Sequence, residues 1–268
     1  MVKLPPIPAA YRLIINSLRA VIGTLQLRFT VTGTENLRPE PRRFGFRIVE
    51  PGRGALLAIN HFSYVDFVFA GLAVHRPTRA WPRYMITRKR ASNWFVSAVC
   101  DVCDHIVVDR AHGEGAYEEA AMKLLRGDYV AIFPEGSTNR SLVVRQPRYG
   151  TVRLAAETGV PIIPVGVFGQ QRLWTKGRRP SLREAWRVPV RVHIGKLLYV
   201  SPDEPVEEAN KRLFEAMTQA VNFARNTYPD PLPEGAWWVP AHLGGSAMTV
   251  EEDLARYRED ASRYNETG

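Results

Sequence analysis

The sequence predicts an α/β fold, because segments typical of strands and segments typical of helices alternate along the chain. Short apolar runs bounded by glycine, proline or asparagine mark the strands, and stretches with one apolar face mark the helices. The chain has 268 residues, of which 45% are hydrophobic, which suffices for one sizeable core. We expect one main domain at 30–228, preceded by an N-terminal segment at 1–29 and followed by a C-terminal extension at 229–268.

The N-terminal segment is predicted to form an amphipathic helix between Tyr11 and Leu27, since polar or small residues recur there at helical spacing. The apolar stripe on the other side consists of Ile14, Leu18, Val21, Ile22 and Leu25. Two interpretations stand: the helix docks on the core, or it lies in a membrane interface with its arginines at lipid headgroups. No run reaches the ~18 apolar residues of a spanning helix.

The elements after this helix follow in alternation. A strand is predicted at Leu27–Val31, a breaker-rich turn at 33–39, a loop with a short strand at 38–54 and a buried strand at Gly54–Ile59. Later strands are predicted at His105–Val108, Tyr129–Phe133, Ile162–Phe168 and Val190–Ile194. Later helices are predicted at Phe67–Val74, Gly115–Leu125, Thr151–Thr158 and Pro205–Thr227, with a charged surface helix at Glu251–Tyr264.

The charge of the chain favours anionic partners. It carries 36 basic and 27 acidic residues, a net charge of +9. Nucleic acid, an anionic membrane surface, and a phosphorylated substrate with a nucleotide-bearing donor all fit such a charge. A nucleic-acid partner is not expected, because the sequence has no helix-turn-helix, zinc-finger or aromatic RNA-binding signature. Of the basic residues 30 are arginine and 6 lysine, which indicates a GC-rich, bacterial genome.

Several kinds of site are disfavoured by the motif content. Cys100 and Cys103 form a lone C-x-x-C with His105 nearby, but a zinc site needs about four ligands and no second pair follows. We therefore expect structural or incidental cysteines and no metal. The sequence also has no G-x-S-x-G, H-E-x-x-H, Walker A or complete G-x-G-x-x-G motif. The first eight residues do not predict a secretion signal.

A histidine and an aspartate stand close together where a buried strand passes into a helix. The segment reads Asn60-His61-Phe62-Ser63-Tyr64-Val65-Asp66. On one continuous helix His61 and Asp66 would be about 140° apart, so they need the turn between them to meet. With His61 in the turn and Asp66 in the first helical turn, the carboxylate can hold one imidazole nitrogen and leave the other as a base. The alternative is a helix cap formed by Ser63 and Asp66 beside an ordinary surface histidine.

Three further segments occur in an order that favours the catalytic interpretation. They are Asp109-Arg110 after a strand, Phe133-Pro134-Glu135-Gly136-Ser137-Thr138, and Val160-Pro161-Ile162-Ile163-Pro164-Val165. Together with the first segment they resemble the PlsC-like glycerol-phosphate and lysophosphatidate acyltransferases across roughly residues 30 to 225. The resemblance implies a mixed, mainly parallel β-sheet flanked by helices.

The resemblance also implies roles for individual residues. His61 would act as general base and Asp66 as its orienting partner. Arg110 would hold an acceptor phosphate through its guanidinium fork, or else form an ordinary surface salt bridge. Glu135 would hold a glycerol hydroxyl or orient a basic residue, and Gly136 would bring backbone close to the acceptor. Pro161 would start a buried strand beneath the substrate groove.

The chain departs from the family at one point that concerns the acceptor. The family usually continues Glu-Gly-Thr-Arg, whereas here Glu135-Gly136 is followed by Ser137-Thr138-Asn139-Arg140. We expect Ser137 and Thr138 to supply hydroxyl donors and Arg140 to reach the substrate from a longer loop. The change also allows an acceptor other than lysophosphatidate.

Residues 76–95 combine basic and aromatic side chains without an acidic one. The set is Arg76, Arg79, Arg83, Arg88, Lys89 and Arg90, with Trp81, Tyr84, Trp94 and Phe95. Such a surface suits anionic lipid headgroups or a CoA phosphate, with the aromatic rings at the water–lipid boundary. The alternative is a solvated basic face with the aromatic residues in the core.

These observations lead to one expected function and two alternatives. We expect transfer of a fatty acyl group from acyl-CoA or acyl carrier protein to a hydroxyl of a lysophosphatidate or glycerol-phosphate acceptor, without a metal or organic cofactor. The protein is expected at the cytoplasmic face of the membrane, bound peripherally or monotopically. The first alternative is the same chemistry on another lysophospholipid or glycolipid. The second is a non-catalytic lipid-binding protein with the same fold.

Overall fold

The computed structural model describes residues 2–4, 9–37, 42–43, 46–49, 53–78, 80–109 and 113–266. Its strands are β1 Val2–Leu4, β2 Arg28–Thr32, β3 Arg42–Arg43, β4 Phe46–Val49, β5 Ala55–Ile59, β6 Arg83–Thr87, β7 Ile106–Val108, β8 Tyr129–Ile132, β9 Ile162–Phe168 and β10 Pro189–Ile194. Its α-helices are α1 Ala9–Thr24, α2 Asp66–Thr78, α3 Arg88–Ala91, α4 Trp94–Cys103, α5 Glu114–Arg126, α6 Gly150–Thr158, α7 Leu182–Ala185, α8 Val206–Asn226 and α9 Val250–Glu266.

The centre of the molecule is a seven-stranded sheet in the order β2-β10-β9-β5-β8-β6-β7. Strands β9, β5, β8, β6 and β7 are parallel to one another, while β10 is antiparallel to β9 and parallel to β2. The α/β class with a mixed, mainly parallel sheet is thus confirmed. A separate antiparallel sheet, β1-β4-β3, contains two strands from the segment predicted to hold one.

Helices cover both faces of the central sheet. One hydrophobic cluster joins α1 and α2 to the sheet, and a second joins α5, α6 and α8 to it. All residues of β5 and β9 are buried, as expected for parallel strands with helices on both sides. Gly166 in β9 permits a close approach of α8, because a Cβ there would meet the Ala220 backbone at 2.2 Å. The two most buried strands therefore form a rigid base for the loops that follow them.

Helix α1 docks on the core through part of its predicted apolar stripe. Ile15 is buried, and Ile14, Leu18 and Ile22 pack against the cluster formed with α2. Leu13 and Val21 point outward and are 68% and 53% exposed, although Val21 was predicted to belong to the apolar stripe. Within the described residues no helix is long and apolar enough to cross a membrane.

The segment predicted as a basic aromatic surface instead contributes a strand and a helix, β6 and α4. Trp81 and Tyr84 are buried, which matches the alternative with aromatic residues in the core, whereas the burial of Arg83 was predicted by neither interpretation. The Arg83 guanidinium is held inside because it donates to the Cys103 carbonyl at 2.7 Å. Trp94 remains 80% exposed. Arg79 and the side chains of Lys89, Arg90 and Phe95 lie outside the described part of the chain.

Candidate active site

Three loops meet at one edge of the sheet, because β5, β8 and β9 are parallel neighbours and their carboxyl ends point the same way. The loop after β5 carries His61, the loop after β8 carries Glu135 to Thr138, and the loop after β9 carries Gln170. Open α/β sheets bind ligands outside the carboxyl ends of their strands. The fold therefore brings residues more than a hundred positions apart into one cleft.

His61 and Asp66 contact each other across the turn between β5 and α2. The Nδ1 atom of His61 lies 2.8 Å from Oδ2 of Asp66, and the His61 side chain is 19% exposed. Asp66 is the first residue of α2, and its Oδ2 also accepts the Ser63 N–H at 2.9 Å. One carboxylate oxygen thus serves both as a helix cap and as the partner of the imidazole.

The Asp66 carboxylate is enclosed by donors. It is fully buried, and its second oxygen, Oδ1, accepts from Nε2 of Gln170 at 2.7 Å. Burial raises the pKa of Asp66 above the ordinary 3.8, while the hydrogen bonds from His61, Ser63 and Gln170 act in the opposite direction. These donors favour the charged form that an imidazole needs beside it.

The other ring nitrogen of His61 faces a hydroxyl group. Oγ1 of Thr138 lies 3.1 Å from Nε2, and the Thr138 side chain is buried. With the Nδ1 proton donated to Asp66, Nε2 is the accepting nitrogen. The ring is held flat against Phe133, with centroids 4.3 Å apart. His61 is therefore oriented to take a proton from a hydroxyl at the Thr138 position.

Glu135 binds the protein rather than open space. Its Oε1 accepts the His61 N–H at 2.9 Å, and its Oε2 accepts from Asn139 Nδ2 at 2.8 Å and from the Arg145 N–H at 3.2 Å. The side chain is buried, and burial raises the pKa of Glu135, with Asn139, His61 and Arg145 acting in the lowering direction. Of the two predicted roles, the geometry matches orientation of protein groups and leaves no side-chain oxygen unengaged for a glycerol hydroxyl.

Gly136 forms a tight turn that its neighbours require. Its φ is +77°, a left-handed conformation that favours glycine, and a Cβ would meet Arg148 Nε at 2.7 Å. Its N–H closes the turn by donating to the Phe133 carbonyl at 3.0 Å. The Arg148 guanidinium thereby lies beside the backbone of the turn between Phe133 and Gly136.

The loop beyond Gly136 is tied to the C-terminal helix α9. The Arg140 N–H donates to Oδ1 of Asp253 at 2.9 Å, and Nη1 of Arg145 donates to Ser137 Oγ at 3.2 Å. Arg145 also forms a buried ion pair with Asp253. The guanidinium of Arg140 turns toward α9, with Nη2 3.6 Å from Asp260. The predicted approach of Arg140 to the substrate is therefore not seen, because Asp253 holds its backbone N–H and Asp260 lies beside its guanidinium.

Comparisons with known proteins identify the family of this chain. The model of the family described as Acyltransferase matches residues 28–168, which is 141 of the 268 residues. The chain belongs to the acyltransferase family. The matched range contains the His61–Asp66 pair and the Glu135 turn but ends just before Gln170.

Individual relatives of this acyltransferase-family chain are distant. A 1-acyl-sn-glycerol-3-phosphate acyltransferase of Chlamydomonas reinhardtii is 23% identical over 67% of the chain and 50% of its own length. One from Borreliella burgdorferi is 34% identical over 31% of the chain and 34% of its own length. The chain thus spans half or less of these two relatives. The crystal structure of the 1-acyl-sn-glycerophosphate acyltransferase PlsC from Thermotoga maritima shares the fold, with a TM-score of 0.58 and 22% identity, covering 82% of this chain and 81% of that one.

One further residue predicted to bind substrate in this acyltransferase-family chain, Pro161, lies away from the cluster. Pro161 precedes β9 and pairs through its carbonyl with Leu56 N, at the edge of the sheet opposite to His61 and roughly 16 Å away along the strands. Pro161 thus starts a buried strand, as predicted, at the end opposite to the His61 cluster, and its assignment to substrate binding stays a prediction. Arg110 lies outside the described residues. The strand before it, β7, is three strands from β5, roughly 14 Å across the sheet.

The sequence interpretation missed three residues that support the cluster, namely Gln170, Arg145 and Asp253. Gln170 follows β9 directly, so the rule that ligands gather at the ends of parallel strands could have indicated it. No local pattern marks Arg145 or Asp253, which are 108 residues apart.

Cys100 and Cys103 are buried, with burial raising the pKa of Cys103 to about 12. Among the described residues, no group of three or more His, Cys, Asp or Glu side chains is placed to hold a metal.

Proposed function

We propose that this protein transfers a fatty acyl group from an acyl thioester to the hydroxyl of a 1-acylglycerol-3-phosphate-type lipid. The observation that carries the proposal is the position of His61, whose Nδ1 lies on Asp66 while its Nε2 lies 3.1 Å from a hydroxyl oxygen. A lipid hydroxyl is a weak nucleophile near neutral pH and needs such a base. The acceptor class is supported by the names of the relatives in Chlamydomonas and Borreliella.

The proposed reaction is a direct transfer. Nε2 of His61 takes the proton of the acceptor hydroxyl as its oxygen attacks the thioester carbonyl. The carbon–sulfur bond then breaks, and the departing thiol receives the proton from His61. Proton transfer by a positioned imidazole is typically worth about 10²–10⁴-fold in rate. Asp66 holds the ring and stabilises its positive charge. The donor is acyl-CoA or acyl carrier protein, and the scheme uses no metal or organic cofactor.

Thr138 marks the position of the acceptor hydroxyl in this scheme. Its Oγ1 occupies the hydrogen-bonding position at Nε2 that the acceptor oxygen has to take. The acceptor therefore displaces Thr138 by rotation of that short side chain. Thr138 also stands where the family usually has arginine, so we assign the acceptor phosphate to Arg148, whose guanidinium lies beside Gly136.

We place the acyl chain on the side of an apolar cavity that Phe133 separates from His61. The cavity lies between α1, α2, β6 and α4 and is lined by apolar side chains that include Leu18, Leu72 and Val99. Tyr84 also lines it, and the Tyr84 ring lies 6.5 Å from the Phe133 ring that stacks on His61. An acyl chain bound on that side would have its thioester group directed toward His61.

We further propose peripheral binding to the cytoplasmic face of an anionic membrane. Leu13 and Val21 on α1 and Trp94 on α4 are exposed, and α1 contacts α4. These side chains can enter the interface while the net charge of +9 attracts anionic headgroups.

The test is thioester-dependent acylation by the purified protein. The donors are acyl-CoA and acyl carrier protein, and the acceptors are glycerol 3-phosphate, lysophosphatidate, other lysophospholipids and a glycolipid. We expect the highest kcat/KM with lysophosphatidate and a loss of at least about a hundredfold in His61→Ala. His193→Ala, which removes a histidine on β10 outside the cluster, is the control and should retain activity.

The outcomes separate the proposal from its rivals. Preference for a phosphate-free acceptor would favour the alternative suggested by Thr138 in place of arginine. Undiminished transfer by His61→Ala would overturn the base assignment. Lipid binding without transfer to any acceptor from either donor would favour a non-catalytic lipid-binding protein.

A further inference from the structure

We infer that Gln170 is a positioning residue of the His61–Asp66 pair, which keeps the Asp66 carboxylate ionised and aimed at the imidazole. The inference deepens the proposed function and rests on it. It concerns a residue beyond the range that the family model matches, which ends at residue 168.

The Gln170 side chain is directed at Asp66 from a separate loop. Its Nε2 donates to Asp66 Oδ1 at 2.7 Å, across 104 residues of sequence, and contacts the Val167 carbonyl at 3.3 Å. Both side chains are wholly buried. The oxygen Oδ1 is the one that neither His61 nor Ser63 contacts. Gln170 therefore completes the set of donors around this carboxylate.

The two loops are also joined through their backbones. Ser63 Oγ donates to the Gln170 carbonyl at 3.2 Å and to the Trp174 carbonyl at 2.5 Å. Gly169 begins the turn with φ +100°, and a Cβ there would meet the Pro189 carbonyl oxygen at 2.2 Å. The position of the amide relative to Asp66 is thus set by the ends of β5 and β9.

One atom of the Gln170 amide lacks a hydrogen-bond partner within the described residues, which packing alone does not explain. Oε1 of Gln170 is buried without a hydrogen-bond partner in the described structure. Buried polar atoms are nearly always satisfied, and an exception calls for an explanation. Orientation of the amide nitrogen toward Asp66 supplies one, since turning the amide would place its oxygen against the carboxylate.

A donor to Asp66 changes the proton affinity of the pair in a defined direction. The hydrogen bond from Gln170 offsets part of the negative charge of Asp66 that would otherwise stabilise an imidazolium, so it favours the pair with neutral His61 over the pair with protonated His61. Without it, the pair takes up a proton at higher pH. The other titratable groups here are Glu135, which accepts the His61 N–H, and Arg145, which lies beside Glu135. Neither contacts Gln170, so both act equally on wild type and variants.

The neighbouring residue provides a matched control. Gln171 is also wholly buried in the same turn, but its Oε1 accepts the Gly169 N–H at 2.8 Å and its Nε2 donates to the Trp238 carbonyl at 3.1 Å. Gln170→Met and Gln171→Met therefore remove the same amide from the same element. Only the first removes a donor to Asp66.

The experiment measures the pH at which the pair takes up a proton, by NMR titration of imidazole signals assigned through His61→Ala, and the acid limb of the kcat profile. We expect both midpoints to rise by about one unit in Gln170→Met and to stay at the wild-type value in Gln171→Met. Gln170→Glu should raise them further, because its carboxylate repels Asp66. We also expect kcat to fall about tenfold in Gln170→Met with KM for the acceptor unchanged.

Equal midpoints in wild type and Gln170→Met, or equal shifts in the two methionine variants, would overturn the inference. The NMR readout does not depend on turnover. A wild type that transfers no acyl group therefore contradicts the proposed function alone, while the titration still decides the role of Gln170. If Gln170→Met does not fold, Gln170→Glu supplies the same comparison with Gln171→Glu.

Discussion

Asp66 performs two tasks that ordinarily belong to different residues. It caps α2 through the Ser63 N–H and holds the His61 ring through the same oxygen, while Gln170 engages the other oxygen. At the sequence level a cap and a dyad were alternatives; in the folded chain they are one arrangement. The helix start fixes the carboxylate and thereby the imidazole.

Asp66→Asn is expected to lower kcat at least about a hundredfold without loss of stability at neutral pH. The folded-state pKa of Asp66 lies above the unfolded value of 3.8, so its protonated form favours the folded chain. That contribution is present below pH 3.8 and is lost as the pH rises through the folded-state pKa. The variant cannot ionise, and its new amide N–H can donate to Gln170 Oε1 after a rotation of that amide.

Denaturant unfolding of both proteins between pH 4 and pH 8 checks this expectation. The free energy of unfolding of the wild type should fall relative to that of Asp66→Asn as the pH rises. A variant that becomes the less stable protein with rising pH would contradict the direction of the shift.

Glu135→Gln is expected to destabilise the protein by about 1–3 kcal/mol and to reduce activity. All three contacts of Glu135 are N–H donors, so an amide nitrogen at either oxygen position faces a donor. Either the His61 backbone or the Asn139 and Arg145 donors therefore lose their acceptor, depending on which way the amide is turned. Unfolding midpoints in urea are the measurement, and Glu207→Gln on the exposed face of α8 is the control. Wild-type stability in Glu135→Gln would mean that these donors do not require a carboxylate.

At the scale of elements, α9 acts as a brace for the loop that follows Glu135. Asp253 receives the Arg140 N–H and pairs with Arg145, which in turn contacts Ser137 and Glu135. Tyr257 lies under the Arg145 guanidinium, 4.5 Å from its centre, and accepts from Arg148 at 2.5 Å. A helix 108 residues beyond Arg145 thus holds the residues that surround the acceptor position.

Asp253→Asn is expected to lower the free energy of unfolding by about 3 kcal/mol, because it leaves the buried Arg145 guanidinium without its counter-charge. Activity should fall as well, since Arg145 connects Asp253 to the Glu135 turn. Glu251→Gln in the exposed first turn of α9 makes the same change of charge and should alter stability by a few tenths of a kcal/mol at most. Similar losses in the two variants would show that the ion pair is not what secures the loop.

At the scale of the whole molecule, the outer face of α1 exposes apolar side chains on a protein whose net charge is +9. Leu13 and Val21 project from α1, while Ile15 on the opposite side of the same helix is buried in the core. Deletion of α1 would therefore also open the apolar cavity that Ile14 and Leu18 line. Surface substitutions separate membrane binding from folding more cleanly than a truncation.

Leu13→Glu with Val21→Glu is expected to weaken binding to anionic vesicles at least about tenfold, because two apolar contacts are lost and two like charges added. Met122→Glu with Leu125→Glu on α5 is the matched pair, with 64% and 52% exposure at the other layer of helices. Co-sedimentation with phosphatidylserine vesicles at low and high salt is the measurement. Equal effects of the two double variants would remove α1 from the membrane contact.

The sequence by itself determined the α/β class, the positions of most strands along the chain and the membership of the acyltransferase family. These features depend on apolar periodicity, on breakers and on short motifs, all of which are local in the chain. His61 and Asp66 belong to this group because five residues and one turn separate them. The strand β6 and the helix α4 escaped prediction, since the aromatic and basic residues of this segment look like a surface, although Arg83 and Tyr84 of β6 are buried in the fold.

Only the tertiary structure decided which residues surround the pair. Gln170 reaches Asp66 across 104 residues, and Asp253 reaches Arg145 across 108. Pro161 lies away from the cluster, because parallel strands place their ends together and their starts on the opposite edge. The Arg140 side chain turns toward α9 because the fold brings the Asp260 carboxylate beside it, although 120 residues separate the two in the chain. A contact between distant segments depends on where the sheet brings them, and no local spacing contains that information.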